Sequence, residues 1–280
     1  MSLAYALLLA QIGPMVSPGT APPIPSAPLE MRRPKAEAEP IKLTRLQECL
    51  ALAGDDPPGA IDAAQAWLEQ AKGSEQADPQ HCMGIAYNYL SRWSDAELAF
   101  VAARDAVAAN ERGRKASLGA MAGLAALDQQ AFERAEAALL AAHADAVAAE
   151  RSELAGDISI YRSRALVALS RAAEAETALT EGRTTSPANP AGWLLSATLS
   201  RRQGKLEQAQ AQIERAAELM PIDPQIGLEA GVIAMLSGRE EAARKSWQSV
   251  LMISPEGEVE AKSAKAYLDQ LPPAPTPAGR

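Results

Sequence analysis

PAGWLLSATLSRRQGKLEQAQAQIERAAELMPID, residues 190–223, runs directly into PQIGLEAGVIAMLSGREEAARKSWQSVLMISPEG, residues 224–257. Laid over each other at a shift of 34, the two stretches agree at the positions that shape a backbone. Gly204 falls on Gly238, Ala209 on Ala243, Ile213 on Trp247, Ala216 on Val250 and Pro221 on Pro255. Each column has a physical job. Glycine takes the left-handed turn that ends a first helix without steric cost. Alanine lets two helices cross closely, and the large residue beside it fills the remaining space. Proline cannot donate an N–H and stops the second helix. Asn189-Pro190 and Asp223-Pro224 open the two units, each a capping side chain followed by proline at the first helical position. A period of this length built from helix, turn and helix is the mark of a stacked hairpin.

Earlier copies are looser. Residues 77–108 hold Gly84, Tyr87, Trp93, Ala96, Phe100 and Ala103, with Ser94-Asp95-Ala96-Glu97 reading as a capping box. The next unit has Gly123, Phe132, Ala135, Leu139 and Ala142, and the one after it Ser163, Ala175, Leu179, Gly182 and Pro187. Ala96 to Ala135 is 39 residues and Ala135 to Ala175 is 40, so a surplus beyond the period falls near 110–114 and 150–156. It is expected to lengthen helices or loops there. A degenerate first unit starts near Ile41, with Leu43, Leu46, Leu50 and Ala53 on one face. Asp56-Pro57 then caps a second helix, in which Ala64 and Leu68 take the small and large columns. Residues 258–271 carry Ala261, Ala264, Leu268 and Leu271 on one side, as a helix closing the apolar end of a stack should.

These columns together resemble the tetratricopeptide repeat (TPR) family. The resemblance implies an all-α, right-handed α-solenoid of about six helical hairpins with a C-terminal capping helix, over residues 41–271. Flanking it, 272–280 is Pro-rich and expected to be disordered, as is the Pro- and charge-rich arm 28–40. Within 1–27, an apolar run from Leu3 to Ile12 leads into a Pro-rich stretch. The run is shorter than the ~20 residues a transmembrane helix needs, but suits a signal-peptide core. No Lys or Arg precedes Leu3 and no clean cleavage site follows. The reading is periplasmic or secreted, with a cytoplasmic protein as the alternative.

A formal net charge of −8 argues against nucleic acid, because phosphate binding needs clustered Lys and Arg. Two histidines and two cysteines, Cys49 and Cys82, are too few for an ordinary zinc site unless carboxylates join them. Beside His81-Cys82 no group is identified that would orient a base for a nucleophile. No catalytic, metal or cofactor site is read. The two thiols are 33 residues apart, about one repeat. Buried free thiols are the favoured reading and a disulfide the alternative. A disulfide needs Cα atoms within about 7 Å, whereas packed helix axes usually lie about 8–10 Å apart. Trp93 and Trp247 fall in columns where large side chains pack between helices, while Trp67 and Trp193 are left open.

In TPR proteins the first helices line a concave surface, into which columns at i, i+4 and i+7 point. Carried over, these columns hold His81, Ile85 and Asn88, then Ala120, Leu124 and Leu127. Next come Ile160, Arg164 and Val167, then Leu194, Thr198 and Arg201, then Leu228, Val232 and Met235. Family members that clamp a peptide's terminal carboxylate place Lys and Asn here, a pattern this chain lacks. The last nine residues are the expected groove for an apolar or amphipathic segment of a protein partner, with Arg164 and Arg201 free to pair with an acidic group. The favoured function is therefore a non-enzymatic adaptor. A self-associating structural protein of the cell envelope is the second reading, and an enzyme the third.

Overall fold

The computed structural model describes residues 43–272. The signal-like segment and arm expected within 1–40, and the tail from 273 on, lie outside the described residues. Among the described residues there are thirteen α-helices, one 3-10 turn at Gly73–Gln76 and no strand. The helices pair in sequence as α1 (Arg45–Asp55) with α2 (Pro57–Leu68), α3 (Ala77–Tyr89) with α4 (Trp93–Ala106), and α5 (Arg112–Asp128) with α6 (Phe132–Ala148). Three more hairpins follow: α7 (Ser152–Ala168) with α8 (Ala172–Thr185), α9 (Pro190–Arg202) with α10 (Leu206–Leu219), and α11 (Pro224–Leu236) with α12 (Glu240–Ile253). Each hairpin packs on the next, and α13 (Val259–Asp269) closes the end against α12 and α11. No helix among the described residues is long and apolar enough to cross a membrane.

The caps follow the sequence where a side chain can reach an orphan N–H. Asp56, Asn189 and Asp223 accept from the backbone N–H of Gly59, Ala191 and Ile226 at 3.1, 3.0 and 2.8 Å, each followed by proline. Ser94 does not cap α4. Arg92 is the residue before that helix and its side chain makes no cap bond, so Ser94 already lies inside the first turn. Glu97 turns sideways instead, to Arg134 at 2.9 Å and to Gln129. The expected capping box is corrected: its serine sits too far into the helix to cap it.

One backbone device closes five of the six hairpins. The residue two places after the first helix has positive φ: Ser91 (55°), Gln130 (60°), Ser170 (60°), Gly204 (76°) and Gly238 (72°). The N–H of the next residue then donates back across the helix end, as Arg171 does to Leu166 at 2.8 Å and Lys205 to Ser200 at 2.9 Å. Left-handed backbone costs an L-residue roughly 1 kcal/mol more than glycine. Ser170→Gly and Gln130→Gly are therefore each expected to stabilise the chain by about 0.5–1 kcal/mol, read as a rise in urea midpoint at constant slope. A fall in midpoint would mean that the hydroxyl or amide makes a contact worth more than the strain.

Inside hairpins two to six a small residue on the first helix stands sixteen positions before a large one on the second. A Cβ on Gly84 would lie 2.5 Å from the Phe100 ring, one on Gly123 2.5 Å from Leu139 Cγ, and one on Gly231 2.5 Å from Trp247 Cδ1. The close-crossing alanines Ala64, Ala96, Ala135, Ala175, Ala209 and Ala243 are all 0% exposed. Such repetition gives a chain of small cores, one per junction, in place of a single centre. Trp247 belongs to the last of these, but Trp93 is only half-buried at the start of α4.

The surplus residues lengthen helices. Helices α5, α6 and α7 each have 17 residues, against 13 or 14 in the other helices of hairpins two to six. The additions all fall at the ends joined by inter-hairpin turns. Asp145, on the extra turn of α6, is buried and accepts from Arg104 at 2.7 Å and Arg112 at 2.8 Å. Burial pushes its carboxyl up, but the two guanidiniums more than offset this and hold it below the usual range. A charge that would be costly alone thus ties together the end of α4, the start of α5 and the end of α6.

Cys49 and Cys82 are joined in a disulfide, with a Cα–Cα distance of 6.0 Å. The expectation of free thiols is corrected. Their surroundings are Ala53, Ala60, Ala64 and Ala86, all 0% exposed. A Cα stands about 2.3 Å off its helix axis, so facing positions on packed helices come within bonding range even at an ordinary axis separation, and the small neighbours leave room for the bridge.

Candidate peptide-binding groove

The first helices α7, α9 and α11 present their columns differently from one another, and the difference starts with local packing. Ile160 is 0% exposed. Its Cγ1 fills the space that a Cβ on Gly182 would take, and its Cδ1 presses on Gly192. It is a wedge between α7, α8 and α9, not part of the groove wall, and that expectation is corrected. Ala120 and Leu127 are likewise buried in the core of the third hairpin, and His81 lies near the Phe100 ring with centroids 6.2 Å apart. Burial lowers the His81 pKa, the Arg114 charge adds to this and Asp78 opposes it, so the imidazole is neutral near pH 7.

The other columns border two cavities. One, of about 210 Å³, opens between α7, α8 and α9 and brings together Arg164, Val167, Leu195, Thr198, Leu199 and Arg202. The second, of about 370 Å³, lies between α9, α11 and the capping helix α13. Its walls include Leu194, Thr198, Arg201, Leu228, Val232 and Tyr267. Leu195 and Thr198 border both, so the two lie side by side along hairpins four to six. Met235 is 41% exposed and borders neither.

Arg201 is not free. Its Nε donates to Glu229 Oε1 at 2.6 Å and its Nη2 to Oε2 at 3.2 Å, a two-pronged pair between neighbouring first helices. Both side chains are largely withdrawn from solvent. The expectation that Arg201 awaits a guest carboxylate is corrected: a carboxylate of the chain already occupies the fork. Arg164, by contrast, is exposed and pairs with no acidic group among the described residues.

The column reading missed Arg202, Leu195, Leu199, Glu229 and Tyr267. Arg202 and Leu199 sit on the flank of α9 that faces α7, where the gap between first helices opens, and Leu195 borders both cavities. Tyr267 arrives from α13, packed against Trp247 with ring centroids 4.9 Å apart and planes tilted by 33°. The two undecided tryptophans are each covered by an arginine, Trp67 by Arg45 at 4.4 Å and Trp193 by Arg183 at 5.2 Å. Neither offers an open stacking face there.

Neither a protein-family model nor a curated protein matches the sequence. Solved structures do match. PilW, a widely conserved type IV pilus biogenesis factor, superposes with a TM-score of 0.63 over 81% of this chain and 100% of its own, at 14% identity. PilF of Pseudomonas aeruginosa gives 0.62 over 79% and 95%, at 17% identity. A thermophilic TPR protein of Thermus thermophilus gives 0.54 over 69% and 99%, at 18% identity. The chain has the tetratricopeptide-repeat fold. In this TPR solenoid the six hairpins and α13 correspond to the units read from the sequence. At these identities the likeness speaks for fold alone.

Proposed function

We propose that this TPR protein is a non-enzymatic scaffold that holds an apolar or amphipathic segment of a partner along hairpins four to six. The observation that carries this is the pair of cavities that share Leu195 and Thr198, walled by aliphatic side chains on three successive first helices. Concave surface that is mostly apolar with a few polar groups around it is the usual form of a binding site, which supports this reading. Burying one Leu-sized side chain is worth about 1.5–3 kcal/mol, so three or four such contacts support micromolar affinity after ordering costs. The disulfide supports an oxidising compartment, periplasmic or extracellular, which N-terminal sequencing of protein from its source would test.

The test is capture of partners from the source cell by wild type and by Leu194→Asp with Leu228→Asp. The variant is expected to lose capture about 100-fold or more, since two contacts go and charge enters the groove. A Leu194→Gln with Leu228→Gln variant and circular dichroism separate lost binding from lost folding. A folded Asp variant that captures the same partners would place binding on the convex face or the loops. Sedimentation at several concentrations addresses the second reading, because a concentration-independent monomer argues against self-assembly.

A further inference from the structure

The smaller cavity combines two properties that the rest of the groove does not. Its walls are Val167, Leu179, Leu195 and Leu199, and its polar members are Ser163, Thr198, Arg164 and Arg202, with no acidic side chain among them. The Ser163 hydroxyl is already spent on the Ile160 carbonyl at 2.6 Å. Arg164 and Arg202 come from different helices, are both exposed, and pair with no carboxylate among the described residues. Elsewhere the arginines of these helices are matched: Arg162 with Glu136 at 2.8 Å, Arg201 with Glu229 at 2.6 Å. In a chain of net charge −8, two unmatched guanidiniums over an apolar pocket are a local reversal of sign.

Resting on the groove reading above, we propose that this pocket is the anchor of the site. It takes one Leu- or Met-sized side chain of an internal partner segment, flanked by acidic side chains that engage Arg164 and Arg202. A volume of about 210 Å³ suits one aliphatic side chain and is small for a folded element. Two cations on separate helices match a carboxylate on either side of the anchor, each held by a planar fork. The pocket lies in mid-stack and shares Thr198 with the next cavity, so a chain can continue past it. That geometry favours an internal segment over a chain end.

The experiment uses the full chain and fluorescence anisotropy with end-blocked, labelled peptides at low salt. The probe is Ser-Gly-Glu-Leu-Glu-Gly-Ser, compared with Gln in place of both Glu, with Ala in place of Leu, and with an unblocked peptide ending in Leu without acidic side chains. The acidic peptide is expected to bind wild type at least tenfold more tightly than the Gln peptide, and to lose that advantage at high salt. Arg164→Gln with Arg202→Gln should abolish the preference, and the corresponding double Lys variant should keep part of it. The Ala peptide should bind about tenfold more weakly than the Leu peptide.

Equal binding of Glu and Gln peptides, no binding of the acidic peptide, or tighter binding of the unblocked Leu peptide would each overturn the proposal. None of these touches the broader groove reading, which stands or falls on capture by Leu194→Asp with Leu228→Asp. If that variant loses its partners while Arg164→Gln with Arg202→Gln keeps them, the groove is right and the acidic anchor is wrong.

Discussion

Trp247→Ala is expected to cost about 3–5 kcal/mol and to release the C-terminal end of the stack before any other part. Trp247 is 3% exposed, and its indole lies in the space left by Gly231 on the facing helix. Its Nε1 donates to the Leu228 carbonyl at 3.2 Å, and its ring supports Tyr267 of α13. One side chain therefore joins α11, α12 and α13. Truncation leaves a void that helices of fixed backbone cannot close, and it removes the seat of the capping helix. Hydrogen exchange should show α11–α13 opening at lower free energy while α5–α8 keep their protection. Trp247→Phe retains most of the volume and should cost only a fraction as much. If both variants melt like wild type, the last hairpin is held by something other than this pairing.

The second large effect is at the other end. Removing the disulfide with Cys49→Ala and Cys82→Ala is expected to destabilise the first hairpin by about 4 kcal/mol, from the closure entropy of a 33-residue loop. In a stack where each unit touches only its neighbours, a terminal hairpin has one partner instead of two. The loss should appear as faster exchange in α1 and α2, with little change beyond α4. Wild-type protein treated with a reductant should reproduce it. Identical exchange in oxidised, reduced and alanine forms would show that the alanine-lined packing of α1 on α3 suffices alone.

The fold was legible because its rules are local. A left-handed turn, a close crossing and a proline stop each leave a mark within one unit, and the period makes the marks add. What the groove exposes depends on neighbours, and there the column reading failed. Ile160 occupies the same column as Leu194 and Leu228, yet only Ile160 is swallowed. The reason is Gly182 and Gly192, which leave room for it. One period on, the equivalent places hold Ala216 and Ile226, and two periods on from Gly182 stands Val250, so the leucines remain partly open. The two glycines were the available signal. The Arg201–Glu229 pair gave none, because its 28-residue spacing acquires meaning only once α9 and α11 are known to lie side by side.

The three long helices also give the solenoid an uneven profile. At 1.5 Å per residue, three or four extra residues raise the inter-hairpin edge by about 5 Å along α5, α6 and α7. A flat body brought against that edge would touch down on this step first and stand off from the hairpins on either side. Asp145, clasped by Arg104 and Arg112, stiffens the step from within, so it would not flatten under such a contact. The inter-hairpin edge is thereby stepped, not flat, along its length.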